Sequence, residues 1–125
     1  MWLFTSNGFL SIVAHRNQPG MLLVRARRDG EIEEMFPDAT VTRTDRADYL
    51  FRAVVPRQDV ANTVAHYAKT IDYDNFKNSV SDRDRHDAYM NTWTVMNRYQ
   101  RECDGPQNQS EDDDHWLSDE LDYAR

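Results

Sequence analysis

The sequence predicts an α+β protein in which an antiparallel four-stranded sheet carries two main helices on one face, as a variant of the ferredoxin-like fold. Apolar residues recur at every second position in the first half of the chain and at helical spacing in the second half. Strands and helices segregated in this way are typical of a sheet packed against helices. The segments between residues 21 and 71 also follow the order β-α-β-β-α.

The first two strands are predicted to be neighbours in the chain. The apolar run GFLSIVAH at 8–15 is separated from MLLVRAR at 21–27 by the turn residues of 17–20. The later run alternates two sets of side chains: Leu22, Val24 and Ala26 on one face, and Leu23, Arg25 and Arg27 on the other. If helices cover the first set, the arginines lie on the opposite face of the sheet.

A short helix and a second hairpin are predicted next. The stretch DGEIEEMFP at 29–37 is acidic and ends at a proline, so we expect one or two helical turns. TVTRT at 40–44 and DYLFRAVVP at 48–56 then form a hairpin across the Asp-Arg pair at 45–46. The second of these strands alternates two sets: Tyr49, Phe51, Ala53 and Val55 against Leu50, Arg52 and Val54.

The second half of the chain is predicted to be helical. The segment RQDVANTVAHYAKTI at 57–71 has one apolar stripe, formed by Val60, Val64, Tyr67 and Ile71. A last helix begins at a cap supplied by Asp82 or Asp84. It carries its larger apolar residues at the same spacing: Tyr89, Trp93 and Met96.

We expect a single domain over residues 1–103 and an acidic, largely disordered tail over 104–125. The tail opens with Gly-Pro and contains a Glu-Asp-Asp-Asp run, and it holds the whole net charge of −7. The preceding residues are close to neutral, so the overall charge does not exclude an anionic partner for them. Within the tail, Trp116 and Leu121 are spaced as in a segment that folds on binding, or else the tail only aids solubility.

The composition indicates the reducing cytoplasm. Cys103 is the only cysteine, so the chain cannot form an internal disulfide. The start MWLFTSNGFL lacks the basic region of a signal peptide, and its apolar run is too short to span a membrane. We therefore predict a cytoplasmic protein that does not enter the membrane. The sequence contains no cofactor or metal-binding motif, so we predict none.

Several stretches resemble a family of small uncharacterised bacterial proteins: GFLSIV, LLVRARRDGEIEE, ADYLFRAVVPRQDVA, TIDYDNFKNSV and the helix around TWTVM. The most specific of them is TIDYDNFKNSV. The resemblance covers about residues 1–100 and implies that they form one coherent unit. It implies no activity, ligand or site residue.

The segment IDYDNFKNSV at 71–80 has two interpretations. Asp72 and Asp74, with His66 and Lys69 upstream, could form the centre of a small hydrolase or nuclease. However, carboxylates two residues apart point to opposite sides of a helix or strand, and the continuation of a calcium loop is missing. We therefore predict that the two aspartates are structural caps of the turn that begins at Asn75. A non-enzymatic role is favoured over the hydrolase or nuclease, which stays an alternative.

Arg25, Arg27 and Arg52 are predicted to share the sheet face that the helices leave open. Arginine outnumbers lysine thirteen to two, and its planar guanidinium suits phosphate and carboxylate groups. RNA-binding sheets also present aromatic side chains, and the predicted outward positions carry none. A plainer interpretation pairs the arginines with nearby acids: Asp29, Glu31, Asp45 and Asp48.

The leading functional prediction is a small intracellular interaction protein. Its partner, which we expect to be a protein, would contact the face of Arg25, Arg27 and Arg52, or the tail through Trp116 and Leu121. The alternative is a protein that binds nucleic acid on the sheet or mimics it with the polyanionic tail. The sequence does not predict the oligomeric state.

Overall fold

The computed structural model describes residues 1–105 and divides the chain into two compact units. The first unit is Met1–Ile71, and the second begins at Asp72. The single domain over residues 1–103 stays a prediction.

The first unit combines an antiparallel sheet with two helices. Its elements are, in chain order, β1 (Trp2–Thr5), β2 (Gly8–Ala14), β3 (Met21–Ala26), α1 (Glu31–Met35), β4 (Thr42–Arg43), β5 (Phe51–Pro56) and α2 (Arg57–Lys69). The strands lie in the order β1-β2-β3-β5-β4, and each neighbouring pair is antiparallel. The α+β class and the antiparallel sheet are confirmed, but the sheet has five strands where four were predicted.

The additional strand is β1, whose sequence predicts only a broken apolar run. Ser6 and Asn7 form a two-residue turn between β1 and β2, and Leu3 lies opposite Leu10. A turn of this length next to an Asn-Gly step is a hairpin signal. The signal was therefore present in the sequence, although β1 has only four residues.

The ferredoxin-like arrangement is not confirmed. That arrangement needs a strand after the second helix, and within residues 1–105 no strand follows α2. Instead, β2 occupies the position beside β3 on the side away from β5. The predicted order from β3 to α2 is nevertheless observed.

Helices α1 and α2 contribute to the same core as one face of the sheet. The core cluster contains the following buried residues: Leu10, Ile12, Val24, Ala26, Ile32, Met35, Phe36, Phe51, Ala53, Val55 and Val60. Its strand residues alternate along β2, β3 and β5 and lie opposite one another across the ladders. Because these residues face the helices, their chain neighbours in each strand lie on the other side of the sheet.

The short helix α1 is tied to the sheet by more than its apolar side. Ile32 is fully buried, and the Glu31 carboxylate accepts a hydrogen bond of 2.9 Å from the backbone N–H of Phe9. The backbone at Gly8 approaches Glu31 so closely that a Cβ atom there would lie 2.8 Å from Oε2. These contacts fix the start of β2, and therefore the β1–β2 hairpin, against the helix.

The second unit contains a 3₁₀ turn (Lys77–Ser79) and a long helix α3 (Arg83–Asp104). Asp82 caps α3, because its Oδ1 accepts a 2.9 Å hydrogen bond from the N–H of Arg85, which confirms one of the two predicted caps. The helix ends before Gly105, whose φ of 84° suits a glycine after a helix.

Most of the predicted tail over 104–125, with Trp116 and Leu121, lies outside the described residues. None of the helices in the described part of the chain is long and apolar enough to cross a membrane.

Candidate functional site

The sheet surface opposite α1 and α2, which we call the second face, carries two of the three predicted arginines, whereas Arg27 lies just beyond the end of β3. The strand register places the following residues there: Trp2, Phe4, Phe9, Ser11, Val13, Leu23, Arg25, Arg52 and Val54. Arg25 and Arg52 lie directly opposite each other on β3 and β5. The second face is therefore mixed, with charged, aromatic and aliphatic side chains.

Three arginines gather around Tyr49 and Asp48, just before β5. The guanidinium carbons of Arg25 and Arg27 lie 4.7 and 4.2 Å from the centre of the Tyr49 ring. Tyr49 was predicted to share a face with Phe51, but β5 begins only at Phe51, and the ring of Tyr49 is buried against the two arginines instead. Each such cation–π contact contributes about 0.5–2 kcal/mol, depending on its exposure.

Hydrogen bonds hold the same three guanidinium groups in fixed positions. Arg25 donates to Ser11 Oγ at 2.8 Å, and Arg27 donates to the backbone carbonyl of Asp48 at 2.7 Å. Arg52 pairs with the Asp48 carboxylate at 3.3 Å. Arg27 is exposed, whereas Arg25 and Arg52 are half-buried. The three guanidinium groups are thus held in place, and Arg27 is the most exposed of the three side chains.

The acids named as pairing candidates behave differently from one another. Asp48 pairs with Arg52 as expected. Asp45 pairs with Arg43 at 2.8 Å, and Glu31 accepts from the β2 backbone. Both ion pairs are at least partly exposed, so each contributes no more than about 1 kcal/mol.

Aromatic side chains also lie on the second face, in contrast to the sequence-based expectation. Trp2 meets Phe9 edge-to-face with ring centres 5.9 Å apart, and Phe4 lies 4.6 Å from Phe9. We call Trp2, Phe4 and Phe9 the aromatic row. Trp2 is 69% exposed. The expectation was wrong because it left out β1, which supplies two of the three rings, and because it assigned no face to Phe9 on β2.

Residues 72–80 of the segment IDYDNFKNSV lie in the second unit, where their aromatic side chains pack the 3₁₀ turn against α3. Phe76 stacks on Tyr89 with ring centres 5.7 Å apart, and Tyr73 lies 5.7 Å from Phe76. Lys77 is only 8% exposed, and its Nζ lies 4.4 Å above the Trp93 ring. The aromatic and cationic residues of the segment therefore have structural partners.

The capping role predicted for Asp72 and Asp74 is performed by a different residue. Asn75 Oδ1 accepts a 3.2 Å hydrogen bond from the N–H of Asn78. Both aspartates are exposed, and neither accepts a hydrogen bond from any residue in 1–105. Asn75 lies two residues before the 3₁₀ turn, and its side-chain oxygen reaches the N–H three residues further along the chain, inside the turn.

The four residues of the predicted hydrolase centre are divided between the two units. His66 and Lys69 are exposed at the end of α2 in the first unit, whereas the two aspartates belong to the second. Burial, and secondarily the charge of Glu34, raises the pKa of Tyr67, so its hydroxyl stays protonated at neutral pH. Within residues 1–105, no three His, Cys, Asp or Glu side chains come together as metal ligands would.

Comparisons of the chain with protein-family models, with curated proteins and with solved structures gave no match. The resemblance to a bacterial family stays a prediction.

Proposed function

We propose that the protein is a small, non-catalytic interaction protein of the cytoplasm that binds a macromolecular partner through the second face of its sheet. The observation that carries the proposal is the exposure of Trp2 on this face, at 69%. Tryptophan, tyrosine and arginine are the residues that most often dominate binding energy in protein interfaces. The second face brings Trp2 into the same surface as Arg25 and Arg52.

The arginines support this role because their conformations are already restricted. Arg27 is exposed while its guanidinium stacks on Tyr49 and donates to the Asp48 carbonyl. A side chain that is ordered before binding loses less conformational entropy in the complex. Its remaining N–H donors suit a carboxylate or a phosphate on the partner.

A protein is the first candidate partner, as the aliphatic residues of the same face favour it. Val13 and Val54 are 37% and 40% exposed, and Leu23 is half-buried. Apolar side chains beside aromatic and arginine residues, with few lysines and acids, match the composition of the buried centre of protein interfaces. The acidic tail, with Trp116 and Leu121, is proposed as an additional contact.

A nucleic acid is the second candidate, and the aromatic row is the observation that favours it. Unpaired bases stack on exposed aromatic side chains and on arginine planes, and sheet surfaces are common places for such stacking. Trp2 and Arg27 are exposed residues of these two kinds.

Capture from the cytosol of the native host, with and without nuclease treatment, distinguishes the two candidates. We expect the immobilised protein to retain a protein partner that persists after nuclease treatment and resists moderate salt. A partner that disappears with nuclease would support the second candidate instead. Retention of nothing above a control resin, in either arm, would contradict the proposal.

A further inference from the structure

The sheet leaves part of the β5 edge uncovered, because β4 is shorter than β5. Strand β4 pairs with only the first two residues of β5, which continues to Pro56. The N–H of Thr44 donates to the carbonyl of Leu50 at 2.7 Å, so the carbonyl of Leu50 points toward the β4 side. Because this direction alternates along a strand, the N–H and C=O groups of Val54 point to the same side. Neither group has a hydrogen-bond partner within residues 1–105.

A groove of about 470 Å³ lies along this uncovered edge, between β5, the segment 36–40 and the first two turns of α2. Buried Phe36 and Val55 line it together with the exposed Val54. Its polar lining residues come from the segment and from α2: Asp38, Thr40, Asp59, Asn62 and Thr63. The groove thus combines an apolar wall, polar side chains and unpaired backbone groups, as a site for an extended peptide does.

The charge of the groove is negative. Asp38 and Asp59 are both exposed, and neither forms an ion pair with another residue in the described part of the chain. Among the described residues that line the groove there is no lysine, arginine or histidine. The positive end of the α2 dipole would favour an anion, but Asp59 in the first turn already supplies one. The groove therefore favours a cationic side chain.

We propose that the groove binds an extended, basic segment of a partner protein, which pairs antiparallel with β5 at Val54. The inference goes beyond the proposed function, because this site uses the edge of the sheet and not the side chains of the second face. The segment takes the place that β4 would occupy if it were longer, and one of its residues exchanges two backbone hydrogen bonds with Val54. Pairing ends at Pro56, which has no N–H and is the N-cap of α2.

The pleat of the strands determines which side chains of the bound segment enter the groove. The residue opposite Val54 directs its side chain to the second face, as Val54 does, and its two neighbours direct theirs to the side of α2. Lysine or arginine at these neighbouring positions reaches the part of the groove that Asp38 and Asp59 line. The recognised pattern is therefore basic-apolar-basic. The acidic tail over 104–125 contains a single arginine and does not supply this pattern.

Titration of the full chain, labelled with nitrogen-15, against the capped peptide Thr-Arg-Val-Arg-Thr tests the site by nuclear magnetic resonance. We expect the Val54 amide signal to shift with a Kd of about 0.1–1 mM, because a single strand pair and exposed ion pairs form a small interface. The charge-reversed peptide Thr-Glu-Val-Glu-Thr should cause no shift at the same concentrations. This comparison tests the preference of the groove for a cation.

Two methylated peptides separate strand pairing from charge attraction. One carries a methyl group on the backbone nitrogen of the valine, and the other on that of the first arginine. The valine N–H donates to the Val54 carbonyl, so its methylation should abolish binding. The arginine N–H points away from β5, so the second peptide should keep its Kd within about threefold of the unmethylated one.

Asp59→Asn should weaken binding of the unmethylated peptide about three- to fivefold, as expected for the loss of one exposed ion pair. The matched control is Asp29→Asn, an exposed acid that does not line the groove, and it should leave Kd within about twofold. If Asp59→Asn loses the native spectrum, Asp38→Asn provides the same comparison.

Absence of a Val54 shift at about 5 mM peptide would overturn the inference, because that concentration is above the expected Kd. Equal binding of the two methylated peptides, or equal weakening in the Asp59 and Asp29 variants, would also overturn it, since attraction would then be unspecific. A Val54 shift that grows with protein concentration and needs no peptide would mean that a second copy of the chain occupies the groove, which contradicts a basic partner.

Discussion

Replacing Phe76 by Ala is expected to lower the free energy of unfolding by about 3 kcal/mol. This loss is near the smallest that replacement of a large buried aromatic residue by alanine causes, because the Phe76 ring is only partly buried. The ring stacks on Tyr89 at a 16° angle and also contacts Tyr73. Its loss removes the apolar contact that holds the 3₁₀ turn against α3. Urea denaturation followed by circular dichroism measures the change.

The matched controls for Phe76→Ala are Asp72→Ala and Asp74→Ala in the same segment. Both carboxylates are exposed and accept no hydrogen bond from residues 1–105, so each change should stay within about 0.5 kcal/mol. The structural interpretation of IDYDNFKNSV would fail under the reverse pattern, in which Phe76→Ala is neutral. It would also fail if either aspartate variant lost a divalent-metal or nucleotide interaction that the wild type has.

Replacing Ile32 by Ala is expected to lower the free energy of unfolding by about 2–5 kcal/mol, and Ile32→Val by about 0.5–1.5 kcal/mol. Ile32 is fully buried at the start of a five-residue helix. So short a helix is not stable alone, and it depends on packing against the sheet. Loss of the side chain leaves a cavity and weakens the connection between α1 and β2.

The control for Ile32 is Glu33→Ala, one residue along the same helix but exposed. This variant should change the free energy of unfolding by no more than about 0.5 kcal/mol. Equal effects of Ile32→Ala and Glu33→Ala in urea denaturation would mean that α1 does not contribute to the core. The assignment of the second face would then lose its basis.

The strands of the core could be predicted because their alternation is strict. In β3, Val24 and Ala26 are buried and Arg25 is not, and in β5 Phe51 and Ala53 are buried while Val54 is exposed. A residue period of two fixes which side chains share a face, so the positions of Arg25 and Arg52 followed from the sequence. The period does not fix the order of the strands, which depends on contacts between residues distant in the chain.

The aromatic row could not be predicted without β1. Trp2 and Phe4 reach the second face only through the hairpin at Ser6 and Asn7, and four residues are too few for a clear alternation. The position of Tyr49 was also missed, since it lies outside β5, and the alternation that predicted its face does not extend beyond the strand. The observed second face therefore differs from the predicted one at the places where short turns interrupt the strand pattern.

The cap of the 3₁₀ turn shows a different limit of sequence reasoning. Asp72, Asp74 and Asn75 are all residue types that cap turns, and they lie within four positions of each other. Only the backbone conformation decides which oxygen reaches a free N–H, and it favours Asn75. Residue type alone could not distinguish among the three.

The most direct test of the second face is the affinity for the partner retained in the capture experiment. This affinity is measured for Trp2→Ala and, as a control, for Tyr99→Ala. Both residues are exposed aromatics, at 69% and 60%, but Tyr99 lies on α3. We predict that Trp2→Ala raises Kd by about 30-fold or more, as expected for a dominant interface residue, and that Tyr99→Ala leaves it within about twofold. A larger loss of affinity in Tyr99→Ala, with Trp2→Ala unaffected, would contradict binding through the second face.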